Sequence, residues 1–250
     1  MRRLRRIATL LACGALASAL AAAQTRGATR TKYTPPVYPE DAGKKDLQGN
    51  VLLIGRIDPQ GHVTDLRVVA ATHQDFAAPA LEAVRSWQFD PALRDGKPIE
   101  VPLNAAARFR MTGGGRGRIP APILGDFAVY PADASGAKTA PDGFPLRKGK
   151  DAALRAEVAI DVPPAEELRT LTVNVEAISP KGRKIPVFQP PVAIPALSTG
   201  VTIPVVARVG PDWEEGVWIL RITADGKNAG GGQFWLAKDP DTFRFTLPAL

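Results

Sequence analysis

The segment that most restricts the fold is residues 76–98, FAAPALEAVRSWQFDPALRDGKP, a short alanine-rich helix ending in Trp-x-Phe-x-Pro and running into a tight turn. Phe76, Ala80, Val84 and Trp87 fall at near-helical spacing, Ala83 widens the apolar stripe, and Glu82, Arg85 and Ser86 lie off it. Proline is tolerated only in the first turn of a helix, so Pro79 places the start close to itself. A helix that serves catalysis presents polar groups to a cleft, whereas this one closes on two large rings. Trp87 and Phe89 are therefore expected to pin the helix to a sheet, each buried ring contributing about 1.5–3 kcal/mol. The predicted core of this region is Phe76, Val84, Trp87 and Phe89.

The sheet is encoded on both sides of the helix. NVLLIGRID and HVTDLRVVAA are β-branched runs joined by Asp58-Pro59-Gln60-Gly61, a hairpin connection in which Gly61 supplies positive φ. In the second run Asp65 and Arg67 share one face while Leu66 and Val68 share the other. That alternation predicts a sheet covered on one side and wet on the other. Asp95-Gly96 is a turn signal, after which IEVPLNAAARFRM returns as a third strand. Upstream, the residues after Pro39 suit one or two helical turns ending near Gly49. Residues 38–111 thus read as helix, hairpin, helix, strand, an α+β unit.

The remainder reads as all-β. The chain has 250 residues, enough for two small domains each with its own core, and its 24 prolines and 23 glycines imply many turns. Within 121–250, strands are predicted at 154–162, 168–178, 201–209, 216–224 and 231–237, the last two flanking the hairpin turn DGKNAG. Leu171, Val173 and Val175 alternate with Thr172, Asn174 and Glu176, as on one face of an immunoglobulin-like sandwich. Trp218 and Trp235, on facing hairpin strands, are expected in its core, and Trp213 is the third ring that a ligand platform would need. Residues 24–37, QTRGATRTKYTPPV, show no helical or strand period and read as a tether. Residues 112–120, TGGGRGRIP, read as a glycine-rich linker; no strand-to-helix frame makes them a nucleotide loop.

The first 23 residues carry four arginines followed by the uncharged run Ile7–Ala23, the layout of a secretory signal cleaved near Ala23. An uncleaved helix, at the short limit for a bilayer span, and a lipid on Cys13 within Leu10-Leu11-Ala12-Cys13 are the alternatives, and only these two attach the chain to a membrane. Cys13 is the only cysteine, so a cleaved chain has no disulfide. The leader also supplies more than half of the net charge of +7, leaving no dense Lys/Arg face of the kind nucleic acid requires. His62 reads as a turn residue, and His73 near Asp75 lacks a nucleophile elbow. Ser135-Gly136-Ala137-Lys138 has the Ser-x-x-Lys spacing but lies in PADASGAKTAPDG, where no helix is expected to aim both side chains into one pocket. Glu166-Glu167 and Glu214-Glu215 read as solvated loop charges. No metal set is evident. The expectation is a protein that is not an enzyme, with no cofactor and no metal.

Along residues 38–111, Tyr38-Pro39, Gly49-x-Val51, Asp58-x-x-Gly61-x-Val63, Ala80-Leu81 with Val84, Trp87-x-Phe89-x-Pro91, Asp95-Gly96-Lys97-Pro98 and Phe109 follow one another in an order that resembles the C-terminal domain of TonB-family proteins. The resemblance covers under a third of the chain and leaves 121–250 untouched. It implies a small α+β fold and a binding role. Family members project this domain into the periplasm and pair with a short box peptide of an outer-membrane receptor, which physically is strand addition to an exposed sheet edge. The strand ending at Phe109 is the expected edge, and Tyr38, Arg108, Phe109 and Arg110 are the residues the resemblance places at the partner contact. The segment just before Tyr38 is a second contact region in the family; here it is KYTPP, where Pro35 and Pro36 lack a donor N–H. Two features depart from proton-coupled members. Ile7–Ala23 contains no histidine, and the 14 residues Gln24–Val37 reach at most about 50 Å. The expected function is a periplasmic TonB-like protein that binds envelope partners, TonB-dependent receptors among them, with a homodimer left open. The alternative is an envelope scaffold whose β-sandwich binds glycan or another envelope component.

Overall fold

The computed structural model of the chain describes residues 25–110, 123–162, 165–188, 190–243 and 245; the expected leader and glycine-rich linker lie outside the described residues. The first half runs β1 (Thr29–Lys32), α1 (Glu40–Lys44), β2 (Gly49–Ile57), β3 (Val63–Ala71), a 3-10 turn at Gln74–Phe76 leading into α2 (Ala77–Arg85), then β4 (Gln88–Asp90), β5 (Ala92–Arg94), β6 (Lys97–Ile99) and β7 (Val101–Phe109). Three short strands thus separate α2 from β7, where one turn was expected. The sheet order is β3-β2-β7, all antiparallel, with β2 paired along β7 from Gly49↔Phe109 to Ile57↔Val101. At the hairpin the Asp58 carboxylate accepts from the N–H groups of Gln60 and His62 at 2.9 and 2.8 Å, fixing the turn.

The helix α2 lays Phe76, Ala80 and Val84 on this sheet against Val51, Leu53, Ile57, Val101, Leu103 and Phe109. Phe76 is fully buried and stacks on Phe109 at 4.2 Å between ring centroids. Trp87 is also buried, while Phe89 is partly buried at the rim of the same cluster.

The second half contains β8 (Ile123–Ala132), β9 (Leu146–Arg147), β10 (Ala153–Asp161), β11 (Arg169–Ile178), β12 (Lys184–Phe188), β13 (Pro191–Ile194), β14 (Gly200–Arg208), β15 (Gly216–Ala224) and β16 (Lys227–Ala237). They form two sheets, β14-β10-β8 and β12-β11-β15-β16-β9, with β13 pairing the start of β11. Leu154, Val158, Val173, Val175, Leu220 and Phe234 fill the space between them. Trp213 stacks on Trp218 at 4.5 Å, and both are buried in that core, so neither offers a ligand platform.

The face of β3-β2-β7 away from α2 is not wet. Leu52 belongs to the sandwich core, with Ala70 and Ala106 packed beside it. Ile54 is buried with Val217, Trp235 and Phe245, so Trp235 lies in this contact between the halves rather than between the sandwich sheets. The alternation read from β3 misled because the central strand decides: β2 is apolar at both parities and buried almost throughout, the pattern of a strand covered on both faces. The tether reading of 24–37 also changes. β1 pairs with β4 there, Thr29 opposite Asp90, and Arg26 bridges to Leu93. All four β1 residues are exposed, so no hydrophobic period announces the strand.

A buried amide organises the contact between the halves. Gln233, with no exposed surface, donates from Nε2 to the carbonyls of Gly55 (2.5 Å) and Leu103 (3.2 Å) and accepts at Oε1 from Trp235 Nε1 (3.1 Å). Asn104 returns the contact, donating from Nδ2 to the Gln233 carbonyl (3.0 Å) and accepting from its N–H at Oδ1 (2.8 Å). Because the halves share apolar core, unfolding in urea is expected to be one transition, coincident for emission from the sandwich tryptophans and for a probe on α2; two separated transitions would refute the shared core. Replacing Gln233 by Leu removes the acceptor of the Trp235 N–H and the donor to the Gly55 and Leu103 carbonyls while leaving the backbone bonds to Asn104, and should lower stability by about 2–4 kcal/mol in the same measurement.

Candidate functional site

β7 ends its sheet, and among the described residues no strand pairs with its outer side. The Gln233 contact shows which backbone groups face outward. One amide nitrogen reaches the carbonyls of both Gly55 and Leu103, which are register partners, so these two carbonyls point toward each other's strand. In an antiparallel ladder alternate residues turn both backbone groups to the same side. Leu103, Ala105 and Ala107 therefore face β2, and Pro102, Asn104, Ala106 and Arg108 face outward. Pro102, which has no N–H, sits at an outward position where the ladder loses nothing.

A groove of about 240 Å³ follows this edge along Val101–Ala106. One wall is Ala28, Arg30, Trp87 and Phe89; the other, from the sandwich, is Asp126, Asp142 and Gly143. The first wall is braced from three directions. Trp87 Nε1 donates to the Thr34 carbonyl at 2.9 Å, and its ring lies 5.4 Å from that of Tyr33. The Arg30 guanidinium sits over both rings, at 4.4 Å from Trp87 and 4.6 Å from Tyr33. Phe89 donates its N–H to the Gly61 carbonyl at 2.9 Å. The second wall hangs on β8: the Val129 N–H donates to Asp142 Oδ1 at 2.9 Å, and Gly143 N–H donates to the Val129 carbonyl at 3.0 Å.

The side chains proposed for partner contact are engaged within the chain. Tyr38 donates its hydroxyl to the Leu47 carbonyl and lies edge-on to Phe76 and Phe109. Burial, then the charge of Asp46, raises its phenol above the usual range. Phe109 is buried. Arg108 pairs with Asp126, and Arg110 donates to the carbonyls of Gly49 (2.9 Å) and Phe109 (3.1 Å) and pairs with Asp161. The sandwich carboxylates recruit both arginines, so free recognition groups at this edge belong to the backbone. Among the other candidates, His62 and His73 sit beside Asp58 and Asp75 at 3.4 and 3.3 Å. Ser135 lies in a turn around Asp133, while Lys138 pairs with Glu157 at 2.8 Å. Glu214 and Glu215 are not merely solvated: Lys181 pairs with the first at 2.8 Å and the Lys238 N–H donates to the second. No group of three or more potential metal ligands occurs among the described residues. No helix among them is long and apolar enough to cross a membrane.

The family model of the Gram-negative bacterial TonB protein C-terminal matches residues 34–111. This segment is a TonB C-terminal domain. Two strains of Xanthomonas campestris pv. campestris, B100 among them, have a Protein TonB that is 34% identical over 77 residues, covering 29% of this chain and 34% of the relative. Protein TonB of Vibrio cholerae serotype O1 is 29% identical over 79 residues, covering 31% of this chain and 32% of the relative. The chain spans about a third of the length of the curated relatives it matches. The solution NMR structure of the Pseudomonas aeruginosa TonB CTD is similar at 23% identity and a TM-score of 0.31, covering 34% of this chain and 88% of that one.

The TonB C-terminal domain begins, in this match, at Thr34, whose carbonyl holds the Trp87 indole. Reading from Tyr38 onward missed that anchor, along with Arg30 and the whole sandwich wall. The glycine of the TonB hairpin also serves this site. Gly61 has φ +85°, and a Cβ there would lie 1.8 Å from the Phe89 carbonyl oxygen. Gly61→Ala should therefore push β4 off the hairpin and cost about 2–4 kcal/mol, read by thermal unfolding together with a change in Trp87 emission.

Proposed function

We propose that this chain is a periplasmic binding protein whose TonB C-terminal domain accepts an extended partner segment as a strand added to β7. The observation that carries the reading is the edge of β7, unpaired among the described residues and lying along an open groove. Added strands are held by main-chain hydrogen bonds, and the outward N–H and C=O groups of Asn104 and Ala106 supply them within the groove. The relatives named TonB support an envelope partner, and an outer-membrane TonB-dependent receptor is the partner class this reading favours. The role is binding and transmission rather than catalysis. The order β14-β10-β8 against β12-β11-β15-β16 supports reading the second half as an immunoglobulin-like sandwich, here a fixed companion of the binding domain.

A fluorescent peptide copying a receptor box should bind the full chain saturably. Ala106→Pro removes one outward donor while leaving the ladder to β2 intact, because that nitrogen does not face β2. Loss of one such hydrogen bond should weaken binding about fivefold. Undiminished binding by this variant, with its fold confirmed by circular dichroism, would move the contact away from β7.

A further inference from the structure

The two walls of the groove differ in charge, and they come from different halves of the chain. On the side of the TonB C-terminal domain, Arg30 brings a guanidinium lying over the rings of Tyr33 and Trp87, and among the described residues it makes no salt bridge. On the sandwich side stand Asp126 and Asp142. Asp126 is balanced by Arg108. Asp142 lines the groove, uses one carboxylate oxygen on the Val129 N–H and has no salt-bridge partner among the described residues; burial of its carboxyl raises the pKa above the usual carboxylate range, against the bonds from the Val129 and Gly143 N–H groups. A strand docked on β7 turns successive side chains to opposite faces of the sheet, so one parity meets the Arg30 wall and the other meets the Asp142 wall.

We infer that the sandwich domain acts as the second half of the recognition site, selecting an extended peptide with acidic side chains at one parity and basic side chains at the other. This inference rests on strand addition at β7 and deepens it: the backbone edge supplies attachment, and the facing walls read charge. Arg30 takes the acidic parity, with Trp87 and Phe89 adding an apolar surface for its methylenes. Asp142 takes the basic parity. The short groove restricts this reading to the residues lying over Val101–Ala106, and the partner chain runs on past Arg108 without it. The sandwich therefore contributes to specificity through its position on the TonB C-terminal domain.

The test uses the full chain and two labelled eight-residue peptides of identical composition, one alternating Glu and Lys, the other with four Glu followed by four Lys. Net charge is zero in both, so general attraction to a basic protein cancels. The alternating peptide should bind at least about fivefold more tightly, from cross-strand pairs that each contribute modestly. Asp142→Asn, which keeps the acceptor for the Val129 N–H, and Arg30→Gln should each reduce that preference, and the double variant should abolish it. Equal binding of the two peptides would overturn charge reading while leaving strand addition in place. Binding of neither, while a receptor-box peptide binds, would do the same. Failure of all three peptides would overturn strand addition itself and this inference with it.

Discussion

Among the contacts that join the two halves of this molecule, the buried amide of Gln233 bonds to both at once. Burying a primary amide without partners costs several kcal/mol in an apolar setting, and Gln233 avoids that cost by bonding to both halves at once. Its nitrogen ties together two adjacent strands of the TonB C-terminal domain, at Gly55 and Leu103, and its oxygen fixes the Trp235 indole. Asn104 closes the arrangement by bonding both backbone groups of Gln233, as a neighbouring strand would. Around this pair the apolar surfaces complete each other. The sandwich admits Leu52 into its core, and the TonB sheet covers Trp235 with Ile54.

With that face covered, β7 is one of the two borders left to the sheet. β3 is the other border, but its pairing with β2 shifts register twice, and Asp65 lies at φ +49° beside an ion pair with Arg56. Irregular, twisted and charged edges resist the addition of another strand. β7 pairs with β2 over nine successive positions with no shift. Its outer side is therefore straight enough to template an extended chain. The docking of the sandwich adds a wall beside that border without placing a strand on it.

How far the sequence could be read depended on the kind of interaction involved. Local signals worked well: α2 ends near Arg85 and buries Phe76, Val84 and Trp87, and the Asp58–Gly61 turn makes the hairpin. The long strands β10, β11 and β14 follow visible alternation, whereas β16 is buried at both parities from Ala229 onward. The family resemblance located the domain but set its start at Tyr38, because the bond from Trp87 to Thr34 is made to a backbone carbonyl and any residue could supply it. β1 gave no signal because its side chains are exposed and its cohesion is main-chain pairing plus one stacked arginine. The contact between the halves was hidden for a different reason. Asn104 and Gln233 are polar residues in strands, and polarity normally predicts the solvent side; bonds between the halves, made across 129 residues or more, bury Gln233 and half-bury Asn104. The continuous apolar run of β2 carried the one legible warning that both faces would be covered.

The glycines preceding Gln233 show how closely the halves must approach. A Cβ on Gly232 would stand 2.2 Å from the ring of Phe127 and 2.8 Å from Asn104 Oδ1. Any side chain there would collide with β8 of the sandwich and with Asn104, which bonds the backbone of β16 at Gln233. The bare backbone at Gly232 is thus a condition for both contacts, one inside the sandwich and one across to the TonB C-terminal domain. β7 carries the result in alternation. Leu103 and Ala105 turn inward to the α2 core, Asn104 and Ala106 turn to the sandwich, and the backbone of the latter two faces the groove. Because the residues that present the open edge are also those that hold the sandwich, the edge is set in position by the domain that forms the opposite wall. A partner strand would meet a site whose two sides are already fixed relative to each other, so little ordering of the protein would oppose its binding.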